Sequence, residues 1–260
     1  MSQMSLSEAR AALVAAGITG PHQSHGRAKN IQKIHALLSG TSEDGFGLSG
    51  LDRYSAREVL GFLSEITGSS ADIGDLEFEE MIDPDKTIAG VVAAAHRLEE
   101  VARRGGTLLI ATGHPTGLLE NHVRVADAFR AAGGKLLRLR EEEKLGLRGK
   151  AREIRYVGSV ACLADWGQLL HTHSSAPMEA LLEAEPWPEM VFGDHGFAGA
   201  AIERGIPTVA VMDINDYALA VTAAEGNDVT IIPMDDNRPP RLYEPAWHLV
   251  EQVLAGDEVE

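Results

Sequence analysis

Apolar residues follow two regimes along this chain. Up to residue 105 they recur every three or four positions, and from Thr107 onward short continuous apolar runs alternate with stretches of helical spacing. Recurrence at i, i+3 and i+4 marks an amphipathic helix, whereas a short β-branched run bounded by turn residues marks a buried strand. Residues 7–16 read as a helix stopped at Gly17, and residues 31–38 as a second. The span 51–67 sets Val59, Leu60, Leu63 and Ile66 on one side. Asp83-Pro84 opens a longer helix, with Asp as cap and Pro in the first turn, whose apolar positions from Ile88 to Val101 keep their spacing until Gly105. Residues 39–50, rich in Gly and Ser, read as a mobile loop.

The second regime predicts a sheet. Leu108, Leu109 and Ile110 lead into a Gly/His/Pro loop and a helix over 118–132, and residues 135–139 form the next strand. The charged segment 140–152 reads as a surface loop, and 153–163 as one or two strands, with a hairpin around Gly158. Leu169-Leu170 enters a His/Ser segment and a helix over 178–184. Then come two consecutive strand-loop-helix units. Met190 to Phe192 runs into Gly193-Asp194-His195-Gly196 and a helix over 197–204; residues 208–212 run into Asp213-Ile214-Asn215-Asp216 and a helix over 217–225. Residues 229–232 close the sheet and 245–254 form a last helix. Strands separated by helices of this length need parallel neighbours. The expected fold class is therefore α/β, a three-layer Rossmann-like, mostly parallel sheet with a helical N-terminal region. Residues 1–105 are expected as that helical region packed on the core, and residues 106–260 as the α/β core carrying the active edge.

Composition narrows the function classes. The formal net charge of -16 repels polyanions, so neither nucleic acid nor an anionic membrane is expected as a partner. Cys162 is the single cysteine, which excludes an internal disulfide and a cysteine metal cluster and reads as a buried core thiol. No basic leader precedes a long apolar run, and a cytoplasmic location is the expectation. A homo-oligomer is left open.

In a parallel sheet the loops leaving the strands' carboxyl ends share one edge, where ligands bind. Four junctions at that edge, 113–117, 171–177, 193–199 and 213–216, combine small residues with His, Asp, Asn, Ser or Thr. Free amides at helix starts attract anions, so Thr112, Gly113, Thr116, Ser174, Ser175 and Gly196 are candidates for binding a phosphate. Carboxylates at the same edge would repel it unless a cation lies between. Asp194, Asp213, Asp216, His171 and His173 are the candidate ligands for a divalent metal, Mg, Mn or Zn. His114 or His195 is the candidate general acid. The segment 21–30 groups His22, His25, Arg27 and Lys29, and Lys33 follows it. A solvated loop and helix face explains such a group, but Arg27 and Lys29 are also candidate cations for an anionic substrate. His35, His96, His122 and His248 lie in helical stretches and read as structural. These residues predict a metal-dependent phosphatase acting on a small phosphorylated metabolite. A non-catalytic phosphometabolite-binding module needs the same loops. A nicotinamide-dependent enzyme is a third reading, from Gly193-x-x-Gly196-x-x-Gly199 with Asp213 ending the next strand, although the glycine spacing is not the usual one.

Three stretches, ATGHPTGLL at 111–119, FGDHGFAGAAIERGIPTVAVMDIND at 192–216 and the arm SHGRAKNIQKI at 24–34, resemble a family of bacterial, largely actinobacterial, proteins known simply as phosphatases. The resemblance implies phosphatase activity without fixing a substrate or catalytic residues. The Asp-x-Asp-Thr/Ser nucleophile pattern of haloacid dehalogenases is absent, which disfavours a phospho-aspartate mechanism.

Overall fold

The structure, a computed structural model, describes residues 3–259 apart from 23, 142–143 and 148–151. Helix α1 (Leu6–Ala16) begins with a reciprocal cap, in which the Ser5 hydroxyl accepts from the Glu8 amide and the Glu8 carboxylate accepts from Ser5 N, and it ends at Gly17 with φ 68°. A two-residue strand β1 (Gly20–Pro21) follows, then α2 (Arg27–Leu38). Helix α2 starts four residues before its apolar spacing does. The Gly/Ser segment after it is docked and not a free loop: a 3-10 turn at Glu43–Gly45 delivers Phe46, completely buried, into the core. Helix α3 (Ala56–Thr67) repeats the reciprocal cap with Ser55 and Glu58. Strand β2 (Met81–Ile82) pairs antiparallel with β1, and α4 (Pro84–Arg103) starts behind the Asp83 cap.

The main sheet begins with β3 (Thr107–Thr112), followed by α5 (Pro115–Ala131), the short β4 (Lys135–Leu136), β5 (Glu153–Val157) and β6 (Val160–Asp165). β7 (Gln168–Leu169) and α6 (Ala176–Leu181) lead to β8 (Met190–Asp194), α7 (His195–Glu203), β9 (Thr208–Met212), α8 (Tyr217–Ala224), β10 (Val229–Pro233) and α9 (Glu244–Ala255). The strand order is β10-β9-β8-β3-β6-β5, parallel from β10 to β6, with β5 and β7 antiparallel to β6. The hairpin expected around Gly158 is the β5–β6 pair. The strand expected over 135–139 is ordered as sheet only at its first two residues, and much of the loop expected over 140–152 lies outside the described residues.

Both faces of the sheet are covered, so its strands are apolar without alternation to polar residues. Leu108, Ile110, Val160, Cys162, Phe192, Val209 and Val211 face one layer, built from α1, α4, α5 and α9 around Trp247. Leu109, Ala111, Ala161, Val191, Ala210 and Met212 face the other, where α2, α3, α6, α7 and α8 pack. Cys162 is the buried thiol expected, its pKa pushed up to about 12 by burial. Among the described residues no helix is long and apolar enough to cross a membrane.

The N-terminal chain is stitched to the carboxyl edge of this sheet. Asp235 N donates to Ile18 O at 2.9 Å, His22 N to Glu80 O at 2.7 Å, and the Thr87 hydroxyl to Pro233 O at 2.7 Å. These bonds carry the segment after β1 over the end of β10.

Helix α4 lies so close to β10 that Gly90 has no room for a side chain: a Cβ there would stand 2.6 Å from Ile231 O. Ala normally stabilises a helix interior over Gly by about 1 kcal/mol. Gly90→Ala is expected instead to destabilise by about 1–3 kcal/mol, the cost of overpacking. Gly61→Ala in α3, where no atom lies within 4 Å, should stabilise by about 0.5–1 kcal/mol. Chemical denaturation of the two variants checks both signs.

Candidate active site

Strand β3 is the switch point of the sheet. The helix that follows it, α5, lies on one face and the helix after its neighbour β8, α7, on the other, which opens a crevice at the strands' carboxyl ends. Asp194, the last residue of β8, spans that crevice. Its Oδ1 accepts from Gly113 N at 2.7 Å and lies 3.3 Å from His195 Nδ1, and its Oδ2 lies 3.4 Å from His122 Nε2. His195 adopts φ 44°, in the left-handed region, which costs a residue with a side chain about 1–3 kcal/mol. That turn aims its ring at two further carboxylates: Nε2 stands 3.1 Å from Asp236 Oδ2 and 3.8 Å from Asp216 Oδ2. His114 Nδ1 reaches the same Asp236 oxygen at 3.3 Å.

His171 and His173 arrive by a detour. β6 outruns β3, since Thr112 lies opposite Cys162 while β6 continues to Asp165, and the chain then folds back through β7. Thr172 N donates to Gly113 O at 2.8 Å, and Gly113 allows that approach because a Cβ there would be 2.4 Å from Thr172 O. The His171 ring consequently stacks on His114 at 4.4 Å, and His173 lies 4.5 Å from His195. His173 Nδ1 is held by Asp44 Oδ1 at 2.5 Å, from the 3-10 turn before Phe46.

A second group forms beside the first. His22 Nε2 is 3.5 Å from Asp213 Oδ1, and His25 Nε2 is 3.4 Å from Asp213 Oδ2. Asp213 N donates to Asp216 Oδ2 at 2.9 Å, joining the two groups. Lys33, half-buried on α2, reaches Asn215 at 3.1 Å.

Asp194, Asp213, Asp216, Asp235 and Asp236 are all buried here. Buried carboxylates demand compensation, and the histidines supply part of it. Burial would push Asp194 and Asp236 up, but His122 and His195 hold Asp194 low, and His114 and His195 do the same for Asp236. Burial alone would lower His195, yet Asp216, Asp194 and Asp236 raise it well above its ordinary value; His114 is raised by Asp236 against the same opposition. Asp213 has no such counter-charge. Burial and the neighbouring Asp236, Asp235 and Asp216 raise it well above the usual range, and Asp216 is pushed up to about 6, chiefly by burial. Burial brings His22, His25 and His171 down to about 4, which leaves each with a free lone pair at neutral pH.

Three sets of donor atoms lie close enough to share an ion, each set with its atoms within 4.8 Å of one another: His114, His171 and His195; His195, Asp216 and Asp236; His22, His25 and Asp213. Ligands on a tetrahedral ion at about 2.0–2.1 Å are roughly 3.3–3.4 Å apart. The imidazole–carboxylate separations of 3.1–3.8 Å bracket that spacing. His22 Nε2 and Asp216 Oδ1 are buried and make no hydrogen bond within the chain, while His114 Nδ1 and Asp236 Oδ2, also buried, meet in an ion-pair contact that His195 shares. Such convergence of buried donors suits a divalent cation.

Most residues anticipated from the sequence meet at this edge, in altered company. Asp213, Asp216, His114, His171 and His195 join the donor sets. Asp194 stands behind them, its oxygens turned to an amide and two imidazoles, and His173 is turned to Asp44. Thr112 accepts from His114 N at 2.9 Å and so shapes the loop, while Thr116 is exposed at the start of α5. Ser174 caps the Ala176 amide and Ser175 donates to Glu179. Arg27 is no part of the edge, because its buried guanidinium is spent on Glu80 and the Asp72 carbonyl. Lys29 is exposed, and it is Lys33 that points inward. Gly196 and Gly199 form no dinucleotide cradle: Cβ atoms there would stand 2.3 Å from Ser174 O and 2.2 Å from Phe46 O, so the chain's own loops fill the space a pyrophosphate would need. The sequence reading missed Asp44, Asp235 and Asp236, underweighted His22 and His25, and read His122, which faces Asp194, as structural. For Asp235 and Asp236 the signal was present, since they follow the carboxyl end of β10.

With no cation bound, neighbouring carboxylates raise His195 above its unfolded value, and burial with the same neighbours raises Asp213. Above about pH 7 the folded state then binds more protons than the unfolded one, so stability falls as pH rises. The melting temperature of chelator-treated protein is expected to drop as pH is raised above the ordinary imidazole range, by roughly 2–4 °C per pH unit for each proton of difference. A melting temperature that is flat or rises over that range would contradict this account of the cluster.

Comparison with known proteins identifies the family. A family model described as Phosphatase matches residues 4–256. Phosphatase SCO2771 of Streptomyces coelicolor (strain ATCC BAA-471 / A3(2) / M145) is 35% identical over 237 residues, covering 88% of this chain and 89% of that protein. From helix α1 to the end of helix α9, this chain belongs to the Phosphatase family.

Proposed function

We propose that this phosphatase hydrolyses a small phosphorylated metabolite with a water activated on a divalent cation at the His195 group. The observation that carries the reading is the convergence of His114, His171, His195, Asp216 and Asp236, with the buried Asp216 Oδ1 left unpaired, at the switch crevice. An imidazole-rich set of this kind favours Zn or Mn over Mg. Bound there, the cation supplies Lewis-acid polarisation of the phosphoryl group and a water of lowered pKa.

The protein supplies the rest. Helix α5 has no acidic residue in its first turn; Pro115 lacks an N–H and the Gly117 and Leu118 amides are given to His114 O, so the Thr116 amide and its exposed hydroxyl are the groups there that favour a phosphoryl oxygen. Lys33 adds the positive charge that the arm was expected to give through Arg27 and Lys29. His173 is the group best placed to protonate the leaving alcohol: Asp44 fixes Nδ1, and both residues line a cavity of 560 Å³ shared with His171, Leu147, Leu163 and Pro177. Asp44 is itself brought down to about 2 by its bond to His173, so it stays ionised and orients the ring. A binding module would have no use for such a pair, which favours the enzymatic reading.

Hydrolysis of p-nitrophenyl phosphate should be abolished by chelator and restored by Zn or Mn; full activity in the metal-free protein would sink the proposal. His173→Asn should lower kcat about 10²-fold or more on an alkyl phosphate. On p-nitrophenyl phosphate, whose leaving group needs no proton, the loss should be only a few-fold. Equal losses on the two substrates would remove His173 from the acid role.

A further inference from the structure

The reaction just described needs one cation, yet a complete second set of donors stands next to the first. We propose that His22, His25 and Asp213, with the Asn215 amide, hold a second divalent cation, so that the N-terminal arm completes a two-metal centre. The proposal rests on the reading of the His195 group as a cation site.

The arm is built for this. β1–β2 pairing and the bond from His22 N to Glu80 O place His22 over the end of β10, where its side chain is only 1% exposed. Its Nδ1 lies 3.8 Å from Asp235 Oδ2 while Nε2 stays unpaired and faces Asp213. Asp235 is pinned by the Ser24 hydroxyl at 2.8 and 3.0 Å and by Asn237 N at 2.9 Å. A carboxylate behind one imidazole nitrogen, with the other nitrogen free, is the arrangement that orients metal-ligating histidines. His25 stacks on His22 with ring centroids 5.5 Å apart and points at the other Asp213 oxygen.

The Asn215 amide stands at the same place. One end of its amide lies 2.9 Å from His25 Nε2 and 3.2 Å from Asp213 Oδ2, and the other end 3.1 Å from Lys33 Nζ. In the metal-free chain the NH2 end must face the imidazole and carboxylate, with the oxygen accepting from Lys33. A cation reverses the preference, because an inward oxygen becomes a fourth ligand beside two imidazoles and a carboxylate. The same move frees the Lys33 ammonium for a phosphoryl oxygen. Asp213 N is bonded to the Asp216 carboxylate of the first group, so the two donor sets adjoin, as the ion sites of two-metal hydrolases do.

Metal content measured on the full chain after loading with Zn or Mn and desalting tests this directly. The expected result is two ions per chain in the wild type and one in both His22→Gln and His25→Gln, with unchanged far-UV circular dichroism. Co²⁺ loading gives a second readout, in which the visible absorption of the variants should fall to about half that of the wild type. His25 is 18% exposed, so its variant is the safer one should the buried His22 variant fail to fold. One ion in the wild type that persists in His25→Gln, or two ions in both proteins, overturns the second site and leaves the first standing. No ion in the wild type overturns both.

Discussion

Five buried aspartates at one end of a parallel sheet are the constraint around which this molecule is arranged. Desolvating an ionised carboxylate costs several kcal/mol, and a protein can meet that cost only with counter-charges, protons or bound cations. Asp194 and Asp236 are matched by imidazoles, but Asp213 and Asp216 share too few. The unmatched remainder is concentrated where two lobes of the edge meet, and that imbalance makes the edge a receptor for positive charge.

The fold serves this end by making the edge rigid. The Asp194 bond to Gly113 N ties β8 to β3 across the crevice, where a parallel sheet is least braced by its own ladder. His195, forced into a left-handed turn, is held by Asp194 on one nitrogen and faces Asp236 with the other. Glycines at 113, 117, 196 and 199 let the His171–Ser174 segment, the Asp236 backbone and the Phe46 turn press directly on the end of β3 and the starts of α5 and α7. Pre-organisation of this kind means the ligands need not be gathered when an ion or substrate arrives, so less binding free energy is lost to ordering.

Much of this was legible in the sequence, and the failures share a cause. The paired units at 190–204 and 208–225 announce parallel strands whose loops meet, and they do. Asp235-Asp236 follows β10 in the same way, but Asn237-Arg238-Pro239 comes next and not the apolar spacing of a helix, so the junction rule passed over it. Arg27 was a candidate cation for the substrate, but Glu80, 53 positions away, takes its guanidinium into the interior. His173 was a candidate metal ligand beside His171, whereas its partner Asp44 lies 129 positions away in a segment whose Gly and Ser content suggested mobility. Local pattern tells where chemistry gathers. Which carboxylate faces which imidazole is decided by long-range packing, and no local pattern encodes it.

The N-terminal arm shows how the two levels join. Its histidines, read alone, were a polar loop on an acidic protein. Their meaning depends on Ile18 and His22 being bonded to Asp235 N and Glu80, because those bonds convert a flexible peptide into a wall of the crevice. A cation bridging His22, His25 and Asp213 would then link the arm to β9, and ion occupancy and arm order would be coupled: whatever binds the ion also closes the crevice on that side. Substrate would thereby meet a closed edge only in the metal-loaded protein, which keeps Lys33 and the cations aimed at the same phosphoryl group.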